Sequence, residues 1–169
     1  MTAVSGQNPA SRTAPTPAPA LYTPAERARR DATVWTSVQA VLAPVQFLVF
    51  LISLGLVLRY LATGNGYDLA TASIMIKTGV LLLIMVTGAI WEKVVFGQYL
   101  FAPAFFWEDV FSFAVIALHL LYVFALLSGG YAPQTLMLIA LLAYAAYVIN
   151  AGQFVWKLRQ ARLGARVAS

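Results

Sequence analysis

Four long apolar runs, about Val38–Leu61, Thr71–Trp91, Val110–Leu127 and Thr135–Trp156, alternate with short polar stretches along this chain. Each is near the roughly 20 residues that a helix needs to cross a bilayer, and their apolar residues do not alternate as in a strand. The pattern predicts an all-α integral membrane protein, a bundle of four transmembrane helices spanning about residues 23–163. Pro44 falls inside the first run, where it removes a backbone hydrogen bond and is expected to kink the helix. Thr63-Gly64-Asn65-Gly66 and Ser128-Gly129-Gly130 read as tight turns between spans.

The flanks behave differently. Residues 1–22 are rich in Ala, Pro, Thr and Ser, cannot repay the entropy of ordering, and are expected to form a disordered tail. They also lack the charged-then-apolar order of a signal peptide. Order is expected to begin at Thr23-Pro24-Ala25-Glu26, where Thr23 can cap a helix, Pro24 suits its first position and Glu26 completes a capping box. A short amphipathic basic helix would follow and bring Trp35 to the interface, while residues 164–169 form a basic C-terminal tail.

Composition agrees with the pattern: of 169 residues, 61% are hydrophobic and only 10% charged, against about 25% charged in a soluble domain. The net charge of +5 does not indicate nucleic acid, because the basic residues sort by side of the membrane. Arg12, Arg27, Arg29 and Arg30 precede the first span, Lys93 lies between the second and third, and Lys157, Arg159, Arg162 and Arg166 follow the fourth. Both termini and the 93–107 connection are therefore expected on the cytoplasmic side, in an inner or intracytoplasmic membrane. Lys77 reads as a lysine that snorkels from the second span. With no cysteine and a single histidine, the chain lacks the parts for disulfides, thiolate chemistry, a bis-histidine haem or hydrolytic zinc, and it has no glycine-rich phosphate loop.

Candidate chemistry gathers at the cytoplasmic ends. The segment WEKVVFGQYLFAPAFFWED, Trp91 to Asp109, sets carboxylates at both ends of an aromatic connection: Glu92 at one, Glu108 and Asp109 at the other. Gln39 and Gln46 lie seven apart on one face of the first span, and Asn150 and Gln153 three apart near the end of the fourth. In the simplest bundle these seven surround one polar pocket open to the cytoplasmic leaflet. The amides can equally be interhelical glue and the carboxylates interfacial anchors. Carboxyl groups partly withdrawn from water suit proton donation near neutral pH, and Glu108 is the first choice because it shares a face with His119. His119 lies eleven residues after Glu108, about 16 Å deeper, either bonded to a neighbouring helix or ligating a metal carried by a bound molecule. Trp35, Trp91, Trp107 and Trp156 form an aromatic belt or stack on a flat ligand.

From Tyr22 to about Leu163 the chain resembles the chlorophyllide hydratase family of bacteriochlorophyll biosynthesis, through YTPAERARRDATVWTSVQAVLAPVQFLVFL, GAIWEKVVFGQYLFAPAFFWEDV and AYAAYVINAGQFVWKLR. The resemblance implies a lyase that hydrates the 3-vinyl group of a chlorophyllide or bacteriochlorophyllide to 3-(1-hydroxyethyl). It implies no cofactor of the protein's own, the substrate bringing its magnesium, with the bilayer and other pigment-biosynthesis enzymes as surroundings. It supplies no residue roles. The residues themselves suggest Glu108, Glu92 and Asp109 for acid–base work, and His119, Trp91, Trp107, Gln39, Gln46, Asn150 and Gln153 for holding substrate. A pigment-binding or assembly subunit of a photosynthetic membrane complex is the alternative, with His119 on a pigment and the carboxylates as anchors. A small transporter fits less well, because its polar groups would lie near the midplane.

Overall fold

A computed structural model describes residues 21–167 of the chain, with side chains described to residue 161. The described part is helical: α1 (Pro24–Ala32), α2 (Val34–Thr63), α3 (Tyr67–Phe96), α4 (Phe106–Ser128) and α5 (Pro133–Val167). The last four are long and apolar enough to cross a membrane. α3 and α4 extend beyond the apolar runs at the ends joined by the 97–105 connection, so Glu92, Glu108 and Asp109 lie on helices. α2 runs unbroken through Pro44.

Local chemistry sets the element ends. Thr23 and Glu26 form the expected capping box, with the Thr23 N–H donating to Glu26 Oε2 at 2.7 Å and the Glu26 N–H to Thr23 Oγ1 at 3.3 Å. Thr33 then caps α2 by accepting from the Trp35 N–H. Gly64, at φ 71°, ends α2 in the left-handed conformation that glycine adopts without a Cβ penalty. Of the tail expected to reach residue 22, residues 1–20 lie outside the described part. Tyr22, within it, is buried and stacks on Phe96.

The spans pack as two antiparallel hairpins, α2 with α3 and α4 with α5, which meet along a sparser seam where α2 touches α5 and α3 touches α4. Phe50, Val57, Ile74, Val115, Met137 and Tyr144 build the core. Lipid removes most of the hydrophobic drive between helices, leaving close packing and interhelical hydrogen bonds to hold them. Ser53 Oγ on α2 meets Tyr144 Oη on α5 at 2.6 Å and Ser73 Oγ on α3 at 2.7 Å, tying three helices at one point. Leu51, Ile52, Val86 and Leu127 face outward, as lipid requires. The snorkelling expected of Lys77 is not what the fold gives: this side chain is 0% exposed and turns into the bundle, over the face of Tyr147 at 4.0 Å. An aromatic ring face offers a cation an attractive site within the bundle.

Candidate functional site

The connection after α3 folds back over the ends of α3 and α4. Gly97, at φ 86°, stops α3, and Phe101 takes the left-handed conformation at φ 59°, a strain that a non-glycine residue carries at about 1–3 kcal/mol. The loop turns two N–H groups inward: Phe101 donates to Asp109 Oδ2 at 2.7 Å and Ala102 to Glu92 Oε2 at 3.2 Å. Glu92 and Asp109, 5% and 4% exposed, are thereby drawn to the N–H groups of two adjacent loop residues. Ionised carboxylates only accept, so a direct hydrogen bond between two neighbouring carboxyl groups requires that one of them carry a proton. Two carboxyl groups sharing a proton, each held by a backbone donor, form a unit that can give a proton and take one back.

Aromatic rings close this end of the bundle. Trp91 packs edge-on against Phe96 and Phe105, both at 5.7 Å between centroids, and Phe154 stacks on Phe105. Trp91 Nε1 donates to Thr36 Oγ1 at 2.9 Å. Helix α1 straps the same end, since Arg29 Nε donates to the Val95 carbonyl at 2.8 Å, near the C-terminus of α3, where a cation is favoured. Outside the spans, burial raises the Tyr22 phenol above its ordinary pKa of 10.0, and the Arg30 guanidinium 4.8 Å from its ring partly opposes that shift.

Glu108 points elsewhere. Successive helical residues are about 100° apart, so Glu108 cannot share Asp109's direction. Its Oε2 accepts from Lys157 Nζ at 2.6 Å, within an open groove also lined by Ile149, Gly152, Gln153, Trp156 and Gln160. Of the seven polar residues expected around one pocket, this groove takes Glu108 and Gln153. Gln39 donates to Thr87 Oγ1 at 2.8 Å, and Asn150 to Ser112 Oγ at 2.9 Å. Gln46 is buried, its Oε1 without a partner among the described residues. Trp107 and Trp156 are each 66% exposed on the outside of the bundle.

His119 is buried 10 residues beyond Asp109, about 15 Å deeper along α4. Its Nδ1 lies 2.8 Å from the Val115 carbonyl, which can only accept, so Nδ1 carries the hydrogen and Nε2 presents a lone pair. Nε2 has no partner among the described residues. A neutral imidazole with its second nitrogen fixed in this way is what a metal ligand requires.

Sequence reasoning missed Lys157 as the partner of Glu108, 49 residues away, and the packing of Tyr22 and Arg29 over the carboxyl end. No local signal marks either contact. Lys77 did carry a signal, as a charge well inside an apolar run, but its direction depended on the turn of α3 within the bundle.

Fold and site together define a class: a multi-pass membrane protein that holds a buried carboxyl pair under an aromatic cap at one end of its bundle. The family described as 2-vinyl bacteriochlorophyllide hydratase matches residues 22–160. Over 149 residues the chain is 72% identical to the 2-vinyl bacteriochlorophyllide hydratase of Cereibacter sphaeroides, covering 88% of this chain and 92% of the relative. Over 162 residues it is 68% identical to the protein of the same name from Rhodobacter capsulatus, covering 95% of this chain and 90% of that one. No solved structure matches. The chain belongs to the 2-vinyl bacteriochlorophyllide hydratase family, whose members are hydro-lyases.

Proposed function

We propose that this protein adds water across the 3-vinyl group of a chlorophyllide or bacteriochlorophyllide at the cytoplasmic face of the inner or intracytoplasmic membrane, with Glu92 and Asp109 as the acid–base unit. The observation that carries the site assignment is the convergence of these two buried carboxyl groups on adjacent loop N–H groups, in a chain of a vinyl hydratase family.

The protonated member of the pair gives its proton to the terminal vinyl carbon, the alkene's π electrons forming the new C–H bond. The positive charge left on the inner carbon is shared with the conjugated ring. A water oxygen attacks that carbon, its surplus proton passes to the carboxylate partner, and the pair returns to one shared proton. Water is added and no electrons are exchanged, so the reaction calls for no oxidant or reductant. The work left to the protein is proton delivery and water placement. The N–H groups of Phe101 and Ala102 hold the pair in register while its proton moves. Trp91, packed on Phe96 and Phe105, belongs to the aromatic cap at this end, and the buried Nε2 of His119 suits the magnesium that the substrate carries, with the ring centre deeper than its vinyl edge. Glu108, held by Lys157, is assigned to joining α4 and α5 rather than to proton transfer.

The test is vinyl hydration in membranes at matched protein levels. Glu92→Gln and Asp109→Asn keep shape and hydrogen bonding but break the proton exchange, and each should lose about a hundredfold or more in turnover while still binding substrate. Near-parental rates in both variants would end the assignment of this pair.

A further inference from the structure

Seven buried side-chain atoms lack a hydrogen-bonding partner among the described residues, and four of them, Gln46 Oε1 on α2, Lys77 Nζ on α3, His119 Nε2 on α4 and Asn150 Oδ1 on α5, come one from each span; the others are Thr71 Oγ1, Tyr122 Oη and Gln153 Oε1. Gln46 shares a face with Phe50, whose ring meets Tyr144 and Tyr147 across the α2–α5 seam. Lys77 reaches Tyr147 from α3, and His119 lies against Tyr144 at 5.9 Å. Lys77 over Tyr147, and Gln46 beside Phe50, border the sparser boundary between the two hairpins, while His119 against Tyr144 and Asn150 bonded to Ser112 approach it from inside the α4–α5 hairpin. Parting this seam leaves both hairpins whole and breaks the Ser53–Tyr144 hydrogen bond that crosses it, which ligand contacts would have to replace.

Lys77 is the demanding member of the set. It is 0% exposed, and its nearest favourable contact is the Tyr147 ring face at 4.0 Å. No carboxylate pairs with it among the described residues. An ammonium left unpaired in a bilayer interior is strongly disfavoured, so an intramembrane basic group of this kind is a candidate ligand site. Lys77 precedes Glu92 by 15 residues, which puts it about 22 Å deeper along α3 than the carboxyl pair, with His119 between the two levels.

We propose that Lys77 is a mid-membrane anchor for a carboxylate on the ligand, at the floor of a binding seam between the two hairpins. This rests on the reading of the substrate as a chlorophyllide, a flat apolar macrocycle that carries one free carboxylic acid arm. The arm pairs with Lys77, the ring lies between the hairpins at the level of His119, and the vinyl edge points toward Glu92 and Asp109. One charge thus orients a nearly symmetrical disc, and the pair formed on binding is neutral, so the ligand's acid and the buried ammonium relieve each other's desolvation.

The test uses the whole chain purified in detergent and titrates it with chlorophyllide a and with its methyl ester, which has the same ring and no charge. The parent should bind the acid about tenfold more tightly than the ester, the worth of one charge-assisted contact. Lys77→Met should bind the two alike. Lys77→Gln serves as a second neutral replacement if the methionine variant does not fold. A parental acid-to-ester ratio near one, or a preference for the acid that survives both replacements, overturns the anchor. Hydration of both compounds by the parent is measured alongside. If neither is hydrated, the proposed reaction fails, while the affinity ratios still decide the role of Lys77.

Discussion

Replacing Glu108 and Lys157 singly and together separates an anchor from an acid. Their charged atoms are 2.6 Å apart, and the side chains are 10% exposed for Glu108 and 26% for Lys157. An exposed pair is worth up to about 1 kcal/mol, whereas breaking a buried one costs about 3–5 kcal/mol because the survivor is left uncompensated. This pair lies between those limits. Lys157→Met leaves the less exposed partner, a carboxylate, alone, and its expected cost is about 2–3 kcal/mol. Glu108→Gln should cost less, about 1–2 kcal/mol, because the amide still accepts a hydrogen bond and the lysine stem can carry its charge toward water. The double variant removes both charges, so its loss should fall short of the sum by about 1–2 kcal/mol. Thermal unfolding in detergent measures the cycle, and vinyl hydration in membranes measures the chemistry. Glu108→Gln should keep its turnover within about tenfold of the parent, well short of the loss expected on removing a general acid. Additivity within about 0.5 kcal/mol would deny the ion pair any role in stability. Turnover lost in Glu108→Gln whether or not Lys157 is present would return the acid role to Glu108.

Two further outcomes follow from the fold and the charge pattern. Ser53→Ala removes the hydroxyl that joins Tyr144 to Ser73, leaving the Tyr144 hydroxyl buried without that partner, and should lower stability by about 1–3 kcal/mol in detergent unfolding; a double variant with Tyr144→Phe should recover part of the loss, and no loss in Ser53→Ala would refute the three-helix tie. Reporter fusions near Asn65 should read as periplasmic and fusions after Arg166 as cytoplasmic, because the loops near Arg27, Arg29, Arg30 and Lys93 carry the positive charge; the opposite result would invert the proposed orientation.

Much of the architecture was legible in the order of residues. Run length and hydropathy are local quantities, and the bilayer's thickness turns them into four spans. The capping box at Thr23 and the glycine turn at Gly64 are equally local, since their hydrogen bonds and φ angles involve neighbours in the chain. Grouping the carboxylates at one end followed from alternating the spans. What the sequence could not supply was the rotation of each helix about its axis. In a soluble bundle an apolar stripe marks the inner face, but here lipid accepts Leu51 and Ile52 as readily as the core accepts Phe50 and Val57, so apolar periodicity points nowhere. Rotation decided that Asp109 joins Glu92 at the loop N–H groups while its neighbour Glu108 turns to Lys157. It also turned Lys77 inward, where length and charge alone suggested an outward reach. Tertiary packing then brought Tyr22 and Arg29 over the end of α3, contacts across more than 60 residues that no local pattern could announce.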